Sequence, residues 1–144
     1  SEERAPSTKA EDPYMHIFLD AGNGNVLAFF EIPNSPPMGR DTNTPEWVQH
    51  IAFQVADDDA LAKVKDHAEA CGLDVVGPID HAIFRSVYFF DPNGHRLECA
   101  TPVGPADDVK RLNDVAQEMI DEWSKTKKPV KHAAWLHEKE FEKV

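Results

Sequence analysis

The fold is decided by residues 79–98, which read IDHAIFRSVYFFDPNGHRLE. Residues 87–90 are β-branched or aromatic, the types that strands favour. Residues 91–94, Asp-Pro-Asn-Gly, form a turn motif, because proline presets φ and glycine supplies a positive φ. Residues 95–100 then supply a return strand. The stretch therefore predicts a β-hairpin.

Three polar side chains lie on this stretch where an ordinary strand would not place them: His81, Tyr88 and Glu98. Glu98 falls in the middle of a strand, where a carboxylate is costly unless it is paired or bound to a metal. His50 likewise falls in the middle of a predicted strand over residues 47–55. One hypothesis is that His50 and Glu98 meet at one metal ion. A satisfied core histidine and a salt-bridged glutamate are the simpler alternative from spacing alone.

Length and composition restrict the classes of partner. The chain has 144 residues, enough for one modest core, and a formal net charge of −11. This acidity disfavours a nucleic-acid backbone or an anionic membrane surface as a partner. No apolar run is long enough to cross a bilayer and no signal peptide is recognisable, so a cytoplasmic location is expected. Cys71 and Cys99 lie inside predicted elements and are expected to be buried free thiols.

The order of predicted elements around the hairpin is β, α, β, β, β. A strand over residues 47–55 precedes a helix that Asp57 caps and Gly72 ends, and a short strand over 73–76 precedes the hairpin of residues 84–101. An earlier hairpin over residues 14–32 has a similar turn and carries Ala28 where the later one carries Glu98. We therefore predict a partial first βαβββ module with its linker over 1–46 and a second module over 47–102.

The remaining segment, residues 103–144, predicts a C-terminal helix and tail. The helix spans about 106–127, and its apolar residues recur at helical spacing, which predicts one buried face. The stripe consists of Leu112, Val115, Ala116, Met119, Ile120 and Trp123. The tail carries further apolar side chains at Trp135, Leu136 and Phe141, which we expect to pack on the domain or on a second subunit of a homodimer.

The second block, with His50 on its first strand and Glu98 on its last, resembles a module of the vicinal oxygen chelate superfamily. That superfamily includes glyoxalase I, extradiol dioxygenases, and fosfomycin- and bleomycin-resistance proteins, and the resemblance covers roughly residues 14–102. It implies an α+β fold of paired βαβββ modules, with a curved mixed sheet around a metal cleft. It also implies that His50 and Glu98 are metal ligands.

A narrower resemblance lies in the opening stretch. Its order of Asp80-His81, Tyr88, Asp-Pro-Asn-Gly and Glu98 is similar to the signature of type I extradiol ring-cleaving dioxygenases. The resemblance implies Fe(II), or alternatively Mn(II), with His81 as acid/base and Tyr88 as a hydrogen-bond donor to a catechol-like substrate. The plainer alternatives are a turn residue for His81 and a strand aromatic for Tyr88.

The expected metal site lacks an identified third ligand. In the family it is a histidine on the first strand of the first module, so it is expected upstream of Ser1. His16 is the early strand histidine, and a pocket-lining role is favoured for it. A glyoxalase I site would need a fourth ligand at Ala28, so a three-ligand set is favoured. Three alternatives stay open: a glyoxalase-like lyase or isomerase, a thiol transferase, and a metal-free drug-binding protein.

Overall fold

A computed structural model describes residues 11–136 of the chain. The described residues divide into two compact units, residues 11–41 and residues 42–136. The first unit contains a two-stranded antiparallel sheet of β1 (Met15–Asp20) and β2 (Val26–Glu31). Its strands agree closely with the hairpin predicted over residues 14–32.

The second unit contains a four-stranded mixed sheet and two helices. Its sheet has the order β3-β6-β5-β4, in which β3 runs parallel to β6 and the other neighbours are antiparallel. The elements are β3 (His50–Gln54), α1 (Asp58–Ala70), β4 (Val76–Asp80), β5 (Phe84–Phe90), β6 (Arg96–Pro102) and α2 (Ala106–Thr126). The α+β class and the β, α, β, β, β order are confirmed.

The two faces of this sheet have different roles. Side chains alternate along each strand, so one face of β5 and β6 carries Val87 and Cys99 and the other carries Tyr88 and Glu98. The first face packs on α1, where Leu61, Val87 and Cys99 form the buried core cluster. Burial and the nearby Glu98 raise the pKa of the Cys99 thiol, so it stays protonated at neutral pH. The opposite face is left for the polar residues.

Helix α1 begins and ends as the sequence predicts. The Asp57 carboxylate accepts a hydrogen bond from the Ala60 backbone N–H at 2.8 Å, and Asp58 and Asp59 occupy the first turn. Gly72 follows the helix with φ of +82°, the left-handed conformation that ends many helices. Cys71, however, is exposed at the end of this helix, so the expectation of a buried thiol is wrong there.

Three further details differ from the sequence-based expectations. β3 begins at His50 rather than at residue 47, because Val48 N–H donates to Pro45 at 3.1 Å and closes a turn. β4 occupies residues 76–80 rather than 73–76. Helix α2 has no fully buried residue: Leu112, Val115, Ala116 and Met119 are half-buried, whereas Ile120 and Trp123 are 58% and 48% exposed, so the predicted face is only partly covered within residues 11–136.

The segment after α2 packs on that helix. Within it, Ala133 is buried, His132 lies 2.9 Å from a Glu122 carboxylate oxygen, and the Arg111 guanidinium lies over the Trp135 ring. Phe141, which the sequence places in the same tail, lies outside the described residues. Among the helices of residues 11–136, none is both long enough and apolar enough to span a bilayer.

Candidate active site

Glu98 is the centre of the polar face. This residue is 5% exposed and lies in the middle of β6, between two residues whose side chains point to the core-facing side of the sheet. One carboxylate oxygen, Oε1, accepts hydrogen bonds from the Ser86 hydroxyl at 2.5 Å and from the Tyr88 hydroxyl at 3.1 Å. A buried carboxylate is stable only with such partners. The other oxygen, Oε2, is directed toward β3.

His50 meets that second oxygen. His50 is the first residue of β3, which pairs directly with β6, and its Nε2 lies 2.9 Å from Glu98 Oε2. Its other ring nitrogen, Nδ1, lies 3.3 Å from the Val48 carbonyl oxygen in the turn before β3. A backbone carbonyl at one ring nitrogen is the usual arrangement for a histidine whose other nitrogen binds a metal. The structure therefore brings together the two predicted ligands.

Tyr88 links this pair to the predicted acid/base. Burial raises the pKa of Tyr88, a hydrogen bond with Ser86 opposes that rise, and the Glu98 charge adds to it, so the phenol stays a neutral donor at physiological pH. His81 Nε2 lies 3.0 Å from the Tyr88 oxygen. Because a phenol has one hydrogen, His81 must donate from Nε2 while Tyr88 donates to Glu98. The three side chains form a continuous hydrogen-bonded path.

His81 is held by a tight turn between β4 and β5. The Ile83 N–H donates to the His81 carbonyl at 2.8 Å across Ala82, whose φ of +68° is close to that of the rare classic γ-turn. The Asp80 carboxylate accepts the Ala82 N–H at 2.8 Å. Gly104 passes so near that a Cβ there would lie 2.7 Å from the Ile83 Cα. The turn thus fixes the backbone of the histidine.

Arg85 connects this turn to the start of α1. Its guanidinium lies 2.6 Å from an Asp58 oxygen and 3.4 Å from an Asp80 oxygen. The hydrogen bond with Asp58 is the main reason that the pKa of Arg85 is raised, so the side chain remains a cation. Asp80 therefore contacts both the turn backbone and a cation anchored on the helix.

Two residues of the site were missed by the sequence prediction. Ser86 is fully buried and donates to Glu98, and the Arg96 guanidinium carbon lies 4.3 Å from the centroid of the Tyr88 ring. The alternation of β5 puts Ser86 on the same face as Tyr88, and the alternation of β6 puts Arg96 on the same face as Glu98. The alternation of side chains along each strand was therefore the signal by which both residues could have been identified from the sequence.

The other described histidines have partners of their own. His16 lies in the first unit among the rings of Tyr14, Phe18 and Phe30. His95 contacts Asp91 in the hairpin turn, and His67 is an exposed residue of α1. His132 contacts Glu122, and His137 lies outside the described residues. Residues 11–136 contain no group of three or more potential metal-ligating side chains.

Comparison with known protein families identifies the fold family. The model of the Glyoxalase/Bleomycin resistance protein/Dioxygenase superfamily matches residues 2–99, which include the whole of the polar face except its last positions on β6. The chain belongs to this superfamily. The superfamily includes dioxygenases and glyoxalases, so membership establishes the fold family and not the reaction.

The chain is also similar to a curated protein. It is 26% identical over 85 residues to "Putative ring-cleaving dioxygenase MhqA" of Bacillus subtilis (strain 168); the match covers 59% of the chain and 27% of that protein. The chain thus spans about a quarter of the length of this curated relative.

Two solved structures are also similar over parts of the chain. One is an integron cassette protein from the mobile metagenome of the Halifax Harbour sewage outfall, at 36% identity and a TM-score of 0.34, covering 37% of this chain and 47% of that one. The other is the fosfomycin resistance protein FosX of Listeria monocytogenes, at 25% identity and a TM-score of 0.36, covering 46% and 55%.

Proposed function

We propose that this chain forms part of an Fe(II)-dependent extradiol ring-cleaving dioxygenase that acts on a catechol-like aromatic compound, with Mn(II) as the alternative metal. The observation that carries the proposal is the continuous contact path from His50 through Glu98 and Tyr88 to His81. It joins a histidine–carboxylate pair to a phenol and a second histidine, which are the groups this reaction requires. The relative described as a ring-cleaving dioxygenase supports the same reaction class.

The donor set fits a divalent metal of this kind. Imidazole nitrogen and carboxylate oxygen suit Fe(II) and Mn(II), and non-haem Fe(II) oxygenases use two histidines and one carboxylate. His50 and Glu98 would supply one of each. The second histidine would come from outside residues 11–136, as the family resemblance implies. When bound, the metal would supply the redox chemistry that allows O₂ to react with a catecholate.

The remaining residues would handle hydrogen bonds and protons. Ser86 and Tyr88 occupy Oε1 of Glu98, so the carboxylate is held in one orientation and presents Oε2 on the side of His50. Tyr88, kept neutral by its surroundings, has one hydrogen, so it would donate to a ring oxygen by releasing Glu98 Oε1, to which Ser86 would still donate. His81, whose Nε2–H donates to the Tyr88 oxygen, would give that proton to Tyr88 as Tyr88 passes its own proton to the substrate, and would take it back afterwards.

The His81–Tyr88 contact favours a dioxygenase over the other reactions of the superfamily. A metal-free binding protein needs no acid/base beside its ligand. A glyoxalase-like lyase or isomerase, or a thiol transferase, would show glutathione-dependent turnover with Ni(II), Zn(II) or Mn(II). Elemental analysis that finds no metal, with ligand binding intact in His50→Ala, would favour the binding protein.

Oxygen uptake tests the proposal directly. The native protein is loaded with Fe(II) under anaerobic conditions and mixed with oxygenated buffer containing one of a panel of catechols. We expect uptake and the yellow colour of a ring-opened product, and a loss of about 10²- to 10⁴-fold in kcat for His81→Gln. His67→Gln is the matched control, because His67 is exposed on α1. Uptake that is equal in wild type and His81→Gln, or absent across the panel, would contradict the proposal.

A further inference from the structure

Arg96 is a cation beside the candidate site that has no carboxylate partner within residues 11–136. It is the first residue of β6 and the register partner of His50 on β3. Its guanidinium carbon lies 4.3 Å from the centroid of the Tyr88 ring, and its Nε is buried with no hydrogen-bond acceptor among the described residues. The residue as a whole keeps part of its surface accessible.

The contrast with Arg85 shows why this is unusual. Arg85, on the neighbouring strand, lies within 4.0 Å of two carboxylates, those of Asp58 and Asp80. The chain holds 26 acidic residues against 15 basic ones, so acidic partners are plentiful. A buried guanidinium N–H without an acceptor is costly, because it loses water without gaining a partner, as the Nε–H of Arg96 does among the described residues. The guanidinium N–H groups of Arg96 are therefore available to bind an anion.

Arg96 lies beside the two proposed metal ligands, as the register partner of His50 and two residues before Glu98. Arg96 shares a face of β6 with Glu98, and the Tyr88 ring beneath the guanidinium restricts where it can move. A guanidinium forms a planar fork that matches a carboxylate. We propose that Arg96 forms an anion subsite that binds the carboxylate of an acidic catechol. The catechol part of this statement rests on the proposed function, whereas the anion subsite does not.

Binding to the metal-free, full-length protein tests the subsite without any turnover. The probes are benzoate and the neutral benzamide, and the readouts are the Arg96 Nε–H signal by NMR and the dissociation constant. We expect benzoate to move that signal and to bind at least about tenfold more tightly than benzamide. The preference should disappear in Arg96→Gln.

Arg111→Gln is the matched control, because the Arg111 guanidinium lies 4.2 Å from the Trp135 ring centroid, away from the polar face. It should leave the benzoate preference unchanged. An HSQC spectrum like that of the wild type shows that Arg96→Gln is folded, and Arg96→Lys, which keeps the charge, should retain part of the preference. Equal binding of the two probes, or a preference that persists in Arg96→Gln, would overturn the proposal.

Steady-state kinetics of the Fe(II)-loaded protein then test the substrate class. We expect kcat/KM for 3,4-dihydroxybenzoate to exceed that for its methyl ester by about ten- to a hundredfold. In Arg96→Gln the acid should lose this advantage through a raised KM with kcat nearly unchanged, because the contact holds substrate and transition state alike. If benzoate binds as expected but no catechol is turned over, the subsite stands and the dioxygenase proposal fails.

Discussion

The two hairpins of the chain have the same strand register but carry different side chains. At the third pair from the turn, Phe18 faces Ala28 in β1–β2, whereas Tyr88 faces Glu98 in β5–β6. At the fifth pair, His16 in β1 corresponds to Ser86 in β5. The backbone is thus repeated without the polar groups that characterise the candidate site.

Their surroundings differ as well. Phe18 is 63% exposed, whereas Tyr88 is 8% exposed and Glu98 5%. Within its own unit the first hairpin forms a two-stranded sheet, whereas the second has β3 along one edge and β4 along the other. β3 supplies His50, and the turn after β4 supplies His81. Both hairpins provide the same backbone, but only the second has neighbouring elements, β3 and the turn after β4, that supply the histidines of the candidate site.

Replacing Glu98 with the alanine of the first hairpin should have the largest effect. Glu98→Ala removes the proposed ligand and the acceptor of two hydroxyl groups, so we expect ring-cleaving activity to fall at least about 10³-fold. An oxygen electrode measures it. Glu31→Ala, which removes an exposed carboxylate from β2, is the control and should keep full activity. Comparable losses in the two variants would contradict the assignment of the site.

Exchanging the aromatic residues of the two hairpins should have a smaller effect on activity. Tyr88→Phe removes a hydroxyl from the path between Glu98 and His81, and we expect kcat to fall about 10- to 100-fold. The buried contact also contributes about 1 kcal/mol to the free energy of unfolding. Kinetics and urea denaturation measure the two effects. A Tyr88→Phe enzyme with wild-type kcat would remove Tyr88 from the mechanism.

The aspartates that open the two turns should contribute unequally to stability. Asp91 accepts the backbone N–H groups of Asn93 and His95 and contacts the His95 ring at 3.0 Å, whereas Asp20 is exposed and accepts Gly22 N–H. We expect Asp91→Asn to cost about 2 kcal/mol and Asp20→Asn about 0.5 kcal/mol. Urea unfolding measures both. Equal costs would show that the two turns are held alike.

The Asp91 contribution should depend on pH. Burial by itself would raise the pKa of Asp91, but the hydrogen bonds from His95 and Asn93 outweigh it and leave the pKa below its ordinary value. The stabilisation is therefore fully present above the unfolded pKa of about 4 and is lost as the pH falls through the lower folded value. The stability difference between wild type and Asp91→Asn should shrink below about pH 4. A constant difference down to pH 2 would contradict this cause.

Giving the first hairpin a phenol should have the smallest effect. Phe18→Tyr reproduces the Tyr88 hydroxyl at the matching position, but the side chain is exposed and Ala28 offers no acceptor. We expect the free energy of unfolding to change by less than about 0.5 kcal/mol and the activity to stay at the wild-type value. A larger gain in stability would show that the first hairpin already holds a polar network.

Local patterns in the sequence predicted most of the fold. The Asp57 cap, the Gly72 stop and the Asp-Pro-Asn-Gly turn each act over a few residues, so they could be identified without the structure. The start of β3 was misplaced, because the turn at Pro45–Val48 competes with a Trp-Val pair that favours strand. The face predicted for α2 is only half-buried, because periodicity shows that a helix has an apolar side but not how completely that side is covered.

The site was predicted only in part for a related reason. His50 and Glu98 were singled out because a histidine and a carboxylate are unusual in mid-strand. Ser86 and Arg96 were missed, since a serine and an arginine are ordinary on a strand surface and gain importance only from the partners across the sheet. The γ-turn at Ala82 has no sequence signal, because alanine rarely adopts a positive φ.

A Co(II) titration of the native protein tests the central claim most directly, because Co(II) reports its ligands through its visible absorption bands. We expect one Co(II) to bind per chain, Glu98→Gln and His50→Gln each to weaken binding at least about 100-fold, and His95→Gln to bind as the wild type does. Wild-type Co(II) affinity and an unchanged spectrum in both Glu98→Gln and His50→Gln would contradict it.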